Sequence, residues 1–406
     1  MRGFVAVVLA LAAALAAGLG AWWLSRPAPP AKPVETVYRP VDFGRLDGWT
    51  ADRQDDALAA FAQSCRRFEA WPDEQKLGPP ALGLTAADWK PACRALAALP
   101  GDADVALARS FFETEFRPFQ VLAGDDPAGL FTGYYEPLLH GSLSRDARHR
   151  VPLYALPDDL VQVDLGRFDP ALKDKRIAGR VEEGQLVPYP DRAEIEAKGL
   201  AGVPALVWVD DAVDAFFLHI QGSGRVSLAE GGELRVGYAG QNGRSYHPVG
   251  RELIRSGALT RENVSMQSIR AWLEANPDKA QDLMNTNPSY VFFRALEGPG
   301  PLGALGVPLT PERSLAVDRR SMPLGAPVWL ETTRPDVDAG RPAHEFRRLL
   351  VSQDTGGAIR GAVRGDVFWG HGPEAYEIAG RMKQPGRWYL LLPKSGARRL
   401  LEARPR

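Results

Sequence analysis

Residues 353–370 read QDTGGAIRGAVRGDVFWG and contain two aspartates, Asp354 and Asp366. Asp354 precedes a glycine pair, which is typical of a turn in which the carboxylate accepts hydrogen bonds from neighbouring backbone N–H groups. Asp366 follows Gly365 and precedes the apolar run Val367–Trp369, so it is expected at the start of a strand. The segment therefore predicts β-structure in which turns present carboxylates.

Similar short apolar runs, each bounded by turn residues, lie on both sides of this segment. After residue 289 they are Tyr290–Phe293, Val328–Leu330, Leu349–Val351 and Trp388–Leu392. Between residues 129 and 245 they include Ala205–Val209 and Phe216–Ile220. The 41 glycines and 34 prolines in 406 residues exceed the average content of globular proteins. They indicate many turns, which favours a β-rich architecture.

Helical spacing of apolar residues occurs in other parts of the chain. It predicts helices over residues 52–70, 88–98 and 102–116, and again over 247–257 and 263–284. The fold class expected from these patterns is α+β, β-rich, with a helical N-terminal part.

The N-terminus carries an apolar segment from Gly3 to Leu24, followed by Arg26. This length approaches the roughly 20 residues that span a bilayer, and Trp22 and Trp23 occupy the place of an interfacial belt. Residues 1–26 are therefore expected to be an uncleaved membrane anchor, and the Pro-rich residues 27–38 a stiff linker. A cleaved signal is the alternative, because Ala14–Ala16 fits a small-x-small site. Under both interpretations the protein is exported.

Composition and motifs exclude several classes of function. A formal net charge of −1 argues against a nucleic-acid partner. Residues 298–303 match GxGxxG, but two prolines remove donors that a pyrophosphate needs. The six histidines lack metal-site spacing, so we expect no metal and no cofactor. The remaining carboxylates, aromatic residues and amide-rich turns suit a carbohydrate.

The chain has two cysteines, Cys65 and Cys93. An even count in an exported protein predicts that they form a disulfide. Two buried thiols are the alternative.

Four stretches resemble one known family. They are Phe131–Pro137 (FTGYYEP), Gln221–Arg225 (QGSGR), Tyr246–Ile254 (YHPVGRELI) and an aspartate block made of Val317–Gly325, Gln353–Gly361 and Arg364–Gly370. They resemble the membrane-bound lytic murein transglycosylase A family, with its C-terminal "3D" domain. No cysteine lies near residue 20, so the acylated cysteine of well-known members is missing and a lipoprotein anchor is not expected.

The resemblance implies a double-psi β-barrel catalytic domain with an inserted second β-domain. The division expected on this basis is a helical part packing on the barrel over residues 39–138, the insertion over 139–245 and the barrel over 246–396. The resemblance also implies an activity. Members of the family are carbon–oxygen lyases that cleave the β-1,4 bond between N-acetylmuramic acid and N-acetylglucosamine and leave a 1,6-anhydromuramoyl end. The expected partner is thus the peptidoglycan glycan strand, and the expected location is the periplasm, at the inner membrane. A hydrolase on the same barrel and a non-catalytic peptidoglycan-binding module are the alternatives.

The resemblance places the acid/base at Asp366, with Asp354 orienting it or binding a sugar hydroxyl. A single carboxyl can serve because the second nucleophile is the C6 hydroxyl of the sugar. The apolar residues after Asp366 would raise its pKa by burial. Asp318, beside two arginines, is expected to be structural. The expected substrate-binding residues are Thr132, Tyr134, Glu136, Gln221, Ser223, Gly224, Gly356, Gly357 and Trp369.

Overall fold

The computed structural model describes residues 34–172, 175–298 and 300–402. The predicted anchor, and the linker up to residue 33, lie outside the described residues. Within the described ranges, no helix is both long and apolar enough to cross a membrane. All the elements below belong to one compact unit, Thr36–Arg406.

Seventeen strands and ten α-helices lie in the described residues. The strands are β1 (Thr36–Pro40), β2 (Phe116–Ala123), β3 (Gly129–Glu136), β4 (Leu138–Ser142), β5 (Val151–Tyr154), β6 (Val161–Asp164), β7 (Arg176–Glu182), β8 (Gln185–Pro188), β9 (Ala205–Val209), β10 (Ser223–Leu228), β11 (Glu233–Gln241), β12 (Val291–Ala295), β13 (Ser314–Val317), β14 (Pro327–Arg334), β15 (His344–Asp354), β16 (Arg364–His371) and β17 (Lys383–Pro393). The helices are α1 (Asp55–Ala70), α2 (Ala86–Ala97), α3 (Val105–Glu115), α4 (Arg192–Lys198), α5 (Ala212–Gln221), α6 (Val249–Arg255), α7 (Met266–Ala275), α8 (Pro277–Asn285), α9 (Pro373–Arg381) and α10 (Lys394–Glu402).

Six strands close into a barrel in the order β17-β14-β15-β13-β16-β3, because β17 also pairs with β3. Two of the pairings, β13 with β15 and β16 with β3, are parallel, and β1 and β2 extend the sheet from β17. Closure leaves no free sheet edge within the barrel. The main hydrophobic core contains Phe131, Leu315 and Val367 from three neighbouring strands. The predicted α+β, β-rich class with a β-barrel is confirmed.

The N-terminal helices pack against this barrel. In the structure Cys65 of α1 and Cys93 of α2 form a disulfide with 5.3 Å between their Cα atoms. Arg313, just before β13, forms a buried ion pair with Asp52 at 2.9 Å, and both side chains are only 3% exposed. The disulfide joins the two helices to each other, and the ion pair ties the helical part to the start of β13, the strand between the two that carry the aspartates.

A second sheet, in the order β12-β11-β10-β4-β9-β5, follows directly from the barrel, since β3 passes through Pro137 into β4. A small third sheet is formed by β6, β7 and β8. Because β12 pairs with β11, the second sheet continues to Ala295, past residue 245 where the sequence analysis ended the insertion.

Two local predictions were wrong. Phe216–Ile220 is not a strand but part of α5, whose N-cap Asp211 accepts from the N–H groups of Val213 and Asp214. A short apolar run does not distinguish a strand from a buried helix. The helix predicted over 263–284 is two helices, since Pro277 begins α8 and disfavours helical geometry at Asn276, where φ is −130°.

Candidate active site

The two aspartates lie in one row across four neighbouring strands. Asp354 of β15 is in register with Ala316 of β13, Ala316 with Asp366 of β16, and Asp366 with Thr132 of β3. Residues in register across a sheet project to the same face. The barrel therefore brings both carboxyl groups and the Thr132 hydroxyl to one surface, with only a methyl group between the aspartates.

This surface is apolar around the carboxyl groups. Tyr134, Ala316 and Phe368 lie on it, together with Leu309 and Ile359, and form a cluster separate from the main core. Leu315 and Val367, one residue along, point the other way into that core. Because apolar surroundings disfavour a charged carboxylate, burial is the main cause of the raised pKa of both aspartates.

Asp354 is held by three hydrogen-bond donors. The Tyr134 hydroxyl donates to its Oδ2 at 2.9 Å, and the N–H groups of Ala304 and Thr355 donate to its Oδ1 at 2.8 Å each. Burial raises the pKa of Asp354 to about 6 against these three bonds, and the charge of Asp366 adds to the rise. With both oxygens occupied as acceptors, Asp354 is poorly placed to donate a proton outward.

Asp366 is held on one oxygen only. The Thr132 hydroxyl donates to Oδ1, and Arg364 Nη1 lies 3.8 Å from the same oxygen. Burial raises the pKa of Asp366, while the Arg364 charge and the Thr132 hydrogen bond act in the opposite direction. The side chain is still 20% exposed, and in the described part of the chain no group hydrogen-bonds to Oδ2. Asp366 therefore presents a free oxygen with a raised proton affinity.

Tyr246 reaches this site from the segment between β11 and α6. Burial raises its pKa to about 12, and the charge of Asp366 contributes to that rise, so the two groups lie within electrostatic range. The electrostatics of the site therefore depend on the segment between β11 and α6 as well as on the barrel. Tyr246 and Arg364 lie in the motifs Tyr246–Ile254 and Arg364–Gly370, but neither is among the site residues expected from the sequence.

Two sequence families match the chain and together cover most of the region described above. The "MltA specific insert domain" matches residues 130–294, and the "3D domain" matches residues 313–392. Membrane-bound lytic murein transglycosylase A of Vibrio cholerae is 32% identical over 280 residues, which is 68% of this chain and 69% of that protein. The Escherichia coli protein of the same name is 33% identical over 66% of each chain.

The chain belongs to the membrane-bound lytic murein transglycosylase A family. Solved structures of lytic murein transglycosylases agree with this assignment. The membrane-bound lytic murein transglycosylase of Agrobacterium tumefaciens superposes with a TM-score of 0.79 at 34% identity, covering 89% of this chain and 99% of that one. E. coli MltA with bound chitohexaose superposes with a TM-score of 0.61 at 27% identity, covering 89% and 95%.

Four other residues that the MltA resemblance suggested lie where β3 leaves the barrel. Glu136 is 1% exposed and pairs with Arg225 at 3.4 Å and Arg235 at 3.1 Å, so it joins the two sheets. The Gln221 side chain accepts from the Tyr135 N–H at 3.1 Å. Ser223 is buried at the start of β10. A Cβ on Gly224 would lie 2.5 Å from Leu218 Cδ1, so close packing explains that glycine.

The remaining predicted residues divide between the loop after Asp354 and the core. Gly357 is exposed beside open space, and a Cβ on Gly356 would lie 2.9 Å from Ile359. Trp369 lies on the core side of β16, where its ring packs 5.1 Å from that of Phe346. Of the apolar residues after Asp366, only Phe368 shares the face of the aspartates.

Asp318 has the surroundings of a structural residue. It pairs with Arg320 at 2.7 Å and accepts from the Gly361 N–H at 2.8 Å. Burial alone would raise its pKa, but these bonds lower it. Across the described ranges, no group of three His, Cys, Asp or Glu side chains is arranged to hold a metal ion.

Proposed function

We propose that this chain cleaves the β-1,4 bond between N-acetylmuramic acid and N-acetylglucosamine in murein glycan strands and forms a 1,6-anhydromuramoyl end. Membership of the lytic transglycosylase family supports the reaction class. The E. coli relative with bound chitohexaose supports a glycan substrate. The observation that carries the proposal is a contrast between the two carboxyl groups. Both oxygens of Asp354 accept hydrogen bonds, whereas Oδ2 of Asp366 has no partner in the described residues.

The mechanism needs one carboxyl group in two successive roles. Protonated Asp366 donates from Oδ2 to the glycosidic oxygen, while the bond from that oxygen to C1 breaks and its electron pair stays with the leaving sugar. The C6 hydroxyl oxygen then forms a bond to C1, and its proton passes to Asp366 Oδ2. The carboxyl group ends protonated, and no water is consumed.

Asp354 has a different role in this proposal. Its oxygens accept from Tyr134 of β3 and from the N–H groups of Ala304 and Thr355, so it ties the segment around Ala304 to the barrel and fixes the turn that begins at Thr355. Asp354 thereby fixes the apolar surface beside Asp366 and provides acceptor capacity for a sugar hydroxyl.

Two carboxyl groups in one row also favour a second candidate, a glycoside hydrolase in which Asp354 activates water. Hydrolases of this type use an acid and a base or nucleophile on either side of the bond. Mass spectrometry of murein digested with the purified protein distinguishes the two. Muramoyl products lighter by one water molecule support the lyase, whereas reducing ends support the hydrolase, and absence of fragments indicates a binding module.

We further propose that the protein acts in the periplasm and is held at the inner membrane by residues 1–26. The relatives are named membrane-bound, and Gly3–Leu24 is continuously apolar. Fractionation of cells expressing the full chain or a version whose residues 1–26 are replaced by a cleavable signal tests this. The full chain should sediment with inner membranes and the second version should not; equal release of both contradicts an anchor.

A further inference from the structure

Arg364, Thr132 and Asp366 form a chain of hydrogen bonds on the barrel surface. Arg364 Nη2 donates to Thr132 Oγ1 at 2.8 Å, and the same Oγ1 is bonded to Asp366 Oδ1. Arg364 and Asp366 lie two residues apart on β16, while Thr132 is in register with Asp366 on β3. The strands therefore fix all three side chains on the same face.

The direction of each hydrogen bond in this series follows from the donors that each group has. A guanidinium group only donates, whereas a hydroxyl group has a single hydrogen and accepts on its lone pairs. Because Oγ1 accepts from Arg364, its hydrogen is directed to the remaining partner, Oδ1 of Asp366. Oδ1 is then an acceptor, and a protonated Asp366 carries its hydrogen on Oδ2, the oxygen without a partner in the described ranges.

We propose that Arg364 is a positioning residue that acts through Thr132 to fix which oxygen of Asp366 carries the transferable proton. The inference rests on the proposed function, since it gives that proton a role. It also changes the part of Thr132, which the family resemblance suggested as a substrate ligand. Without Arg364 the Thr132 hydroxyl is free to rotate and accept from Oδ1, which would hold the proton on the oxygen that contacts Thr132 and not on Oδ2.

Other charged or titratable groups face Asp366, and they bear on its pH dependence. Besides Arg364 on its own strand they are Asp354 on β15, Tyr134 on β3 and Tyr246. Lys383 on β17 is in register with Thr132, but its ammonium group donates to the carbonyls of residues 261, 262 and 264. Burial raises the pKa of Asp366, and Thr132 and Arg364 both lower it. Replacing either residue should therefore raise the pKa of Asp366 further.

The test uses the purified full chain with murein glycan strands freed of stem peptides as the substrate. Thr132→Val should lower kcat about tenfold or more, the effect of losing a hydrogen bond to a charged group, while KM stays unchanged. Thr132→Ser, which keeps the hydroxyl, should restore most of the activity. Arg364→Met should also lower kcat at constant KM. In Thr132→Val and Arg364→Met the falling limb of the kcat profile should move to higher pH, because each change raises the pKa of Asp366.

The double variant decides whether the two residues act in series. If Arg364 places the proton only through Thr132, adding Arg364→Met to Thr132→Val should cost little more in the pH-independent value of kcat than Thr132→Val alone. The direct loss of the Arg364 charge should then appear only as a further rise in the pKa of Asp366. Multiplied losses, or a raised KM with normal kcat, would overturn the proposal, because they make Arg364 and Thr132 independent or substrate-binding groups. If Thr132→Val does not fold, Arg364→Met decides by the same comparison of kcat with KM. Reducing ends in the wild-type products would refute the proposed function alone, since a hydrolase also needs a directed acid.

Discussion

Replacing Asp366 with Asn removes the titratable proton and keeps nearly the same shape. The amide oxygen can still accept from the Thr132 hydroxyl, so the contact at Oδ1 persists while the group at Oδ2 is no longer an acid. Loss of general acid–base catalysis lowers rates by about 10²–10⁴-fold. That range corresponds to about 3–5.5 kcal/mol of transition-state stabilisation. Turnover should fall by at least this factor, because no second carboxyl takes over the proton transfer.

The assay is release of soluble fragments from purified sacculi, with thermal melting of each variant as the control for folding. Asp354→Asn is the matched variant: its amide oxygen can still accept from Ala304 and Thr355, and the Tyr134 hydroxyl can accept in place of donating. It should retain more activity than Asp366→Asn. A folded Asp354→Asn that is inactive, beside an active Asp366→Asn, would show that the roles are reversed. If both stay active, the acid lies elsewhere.

Three further predictions concern stability. Replacing Cys65 and Cys93 by Ser removes a cross-link between residues 28 positions apart and should lower the free energy of unfolding by about 3–4 kcal/mol. Denaturant titration measures this change. An unchanged free energy of unfolding, or two free thiols in the unreduced unfolded protein, would contradict the prediction. Asp354 has a folded pKa of about 6, above its unfolded value of about 3.9, so its contribution to stability is full below about pH 4 and is lost as pH rises through 6. Asp354→Asn should therefore raise the free energy of unfolding, and with it the melting temperature, relative to wild type at pH 7–8, by at most about 3 kcal/mol. The difference should vanish near pH 4. A difference that does not change with pH would show that ionisation of Asp354 is not its cause. Asp52→Asn removes the buried carboxylate beside Arg313 and leaves Asp56, at 3.1 Å, as its charged partner, so it should cost up to about 3 kcal/mol, the lower end for breaking a buried pair. Arg53→Gln at an exposed neighbouring ion pair should cost less than about 1 kcal/mol, and equal costs would contradict the role of burial.

Local patterns predicted the class of the fold and most of its elements. The helices near residues 55–70 and 86–97 follow from their periodicity and from caps such as the Thr85–Asp88 box. The error at Phe216–Ile220 shows the limit of a short apolar run. The extent of the second sheet was missed because β12 joins β11 across about 50 residues, a pairing that no local pattern encodes.

The site was predicted only in part, for a related reason. Asp354, Asp366 and Thr132 were singled out, but their shared row depends on the register of four strands, which is set by the closed barrel. Trp369 was assigned to the groove although alternation along β16 already places it opposite Asp366 and Phe368. The same alternation places Arg364 on the face of Asp366, so that signal was present in the sequence.

The central claim is that the C6 hydroxyl of the muramoyl sugar, and not water, attacks C1 after Asp366 has donated its proton. Digestion of sacculi in water enriched in the heavy oxygen isotope, followed by mass spectrometry of the muramoyl ends, tests this directly. The wild type should form anhydro ends that carry no heavy oxygen, and Asp366→Asn should form none. Reducing ends that contain heavy oxygen at C1 would contradict it.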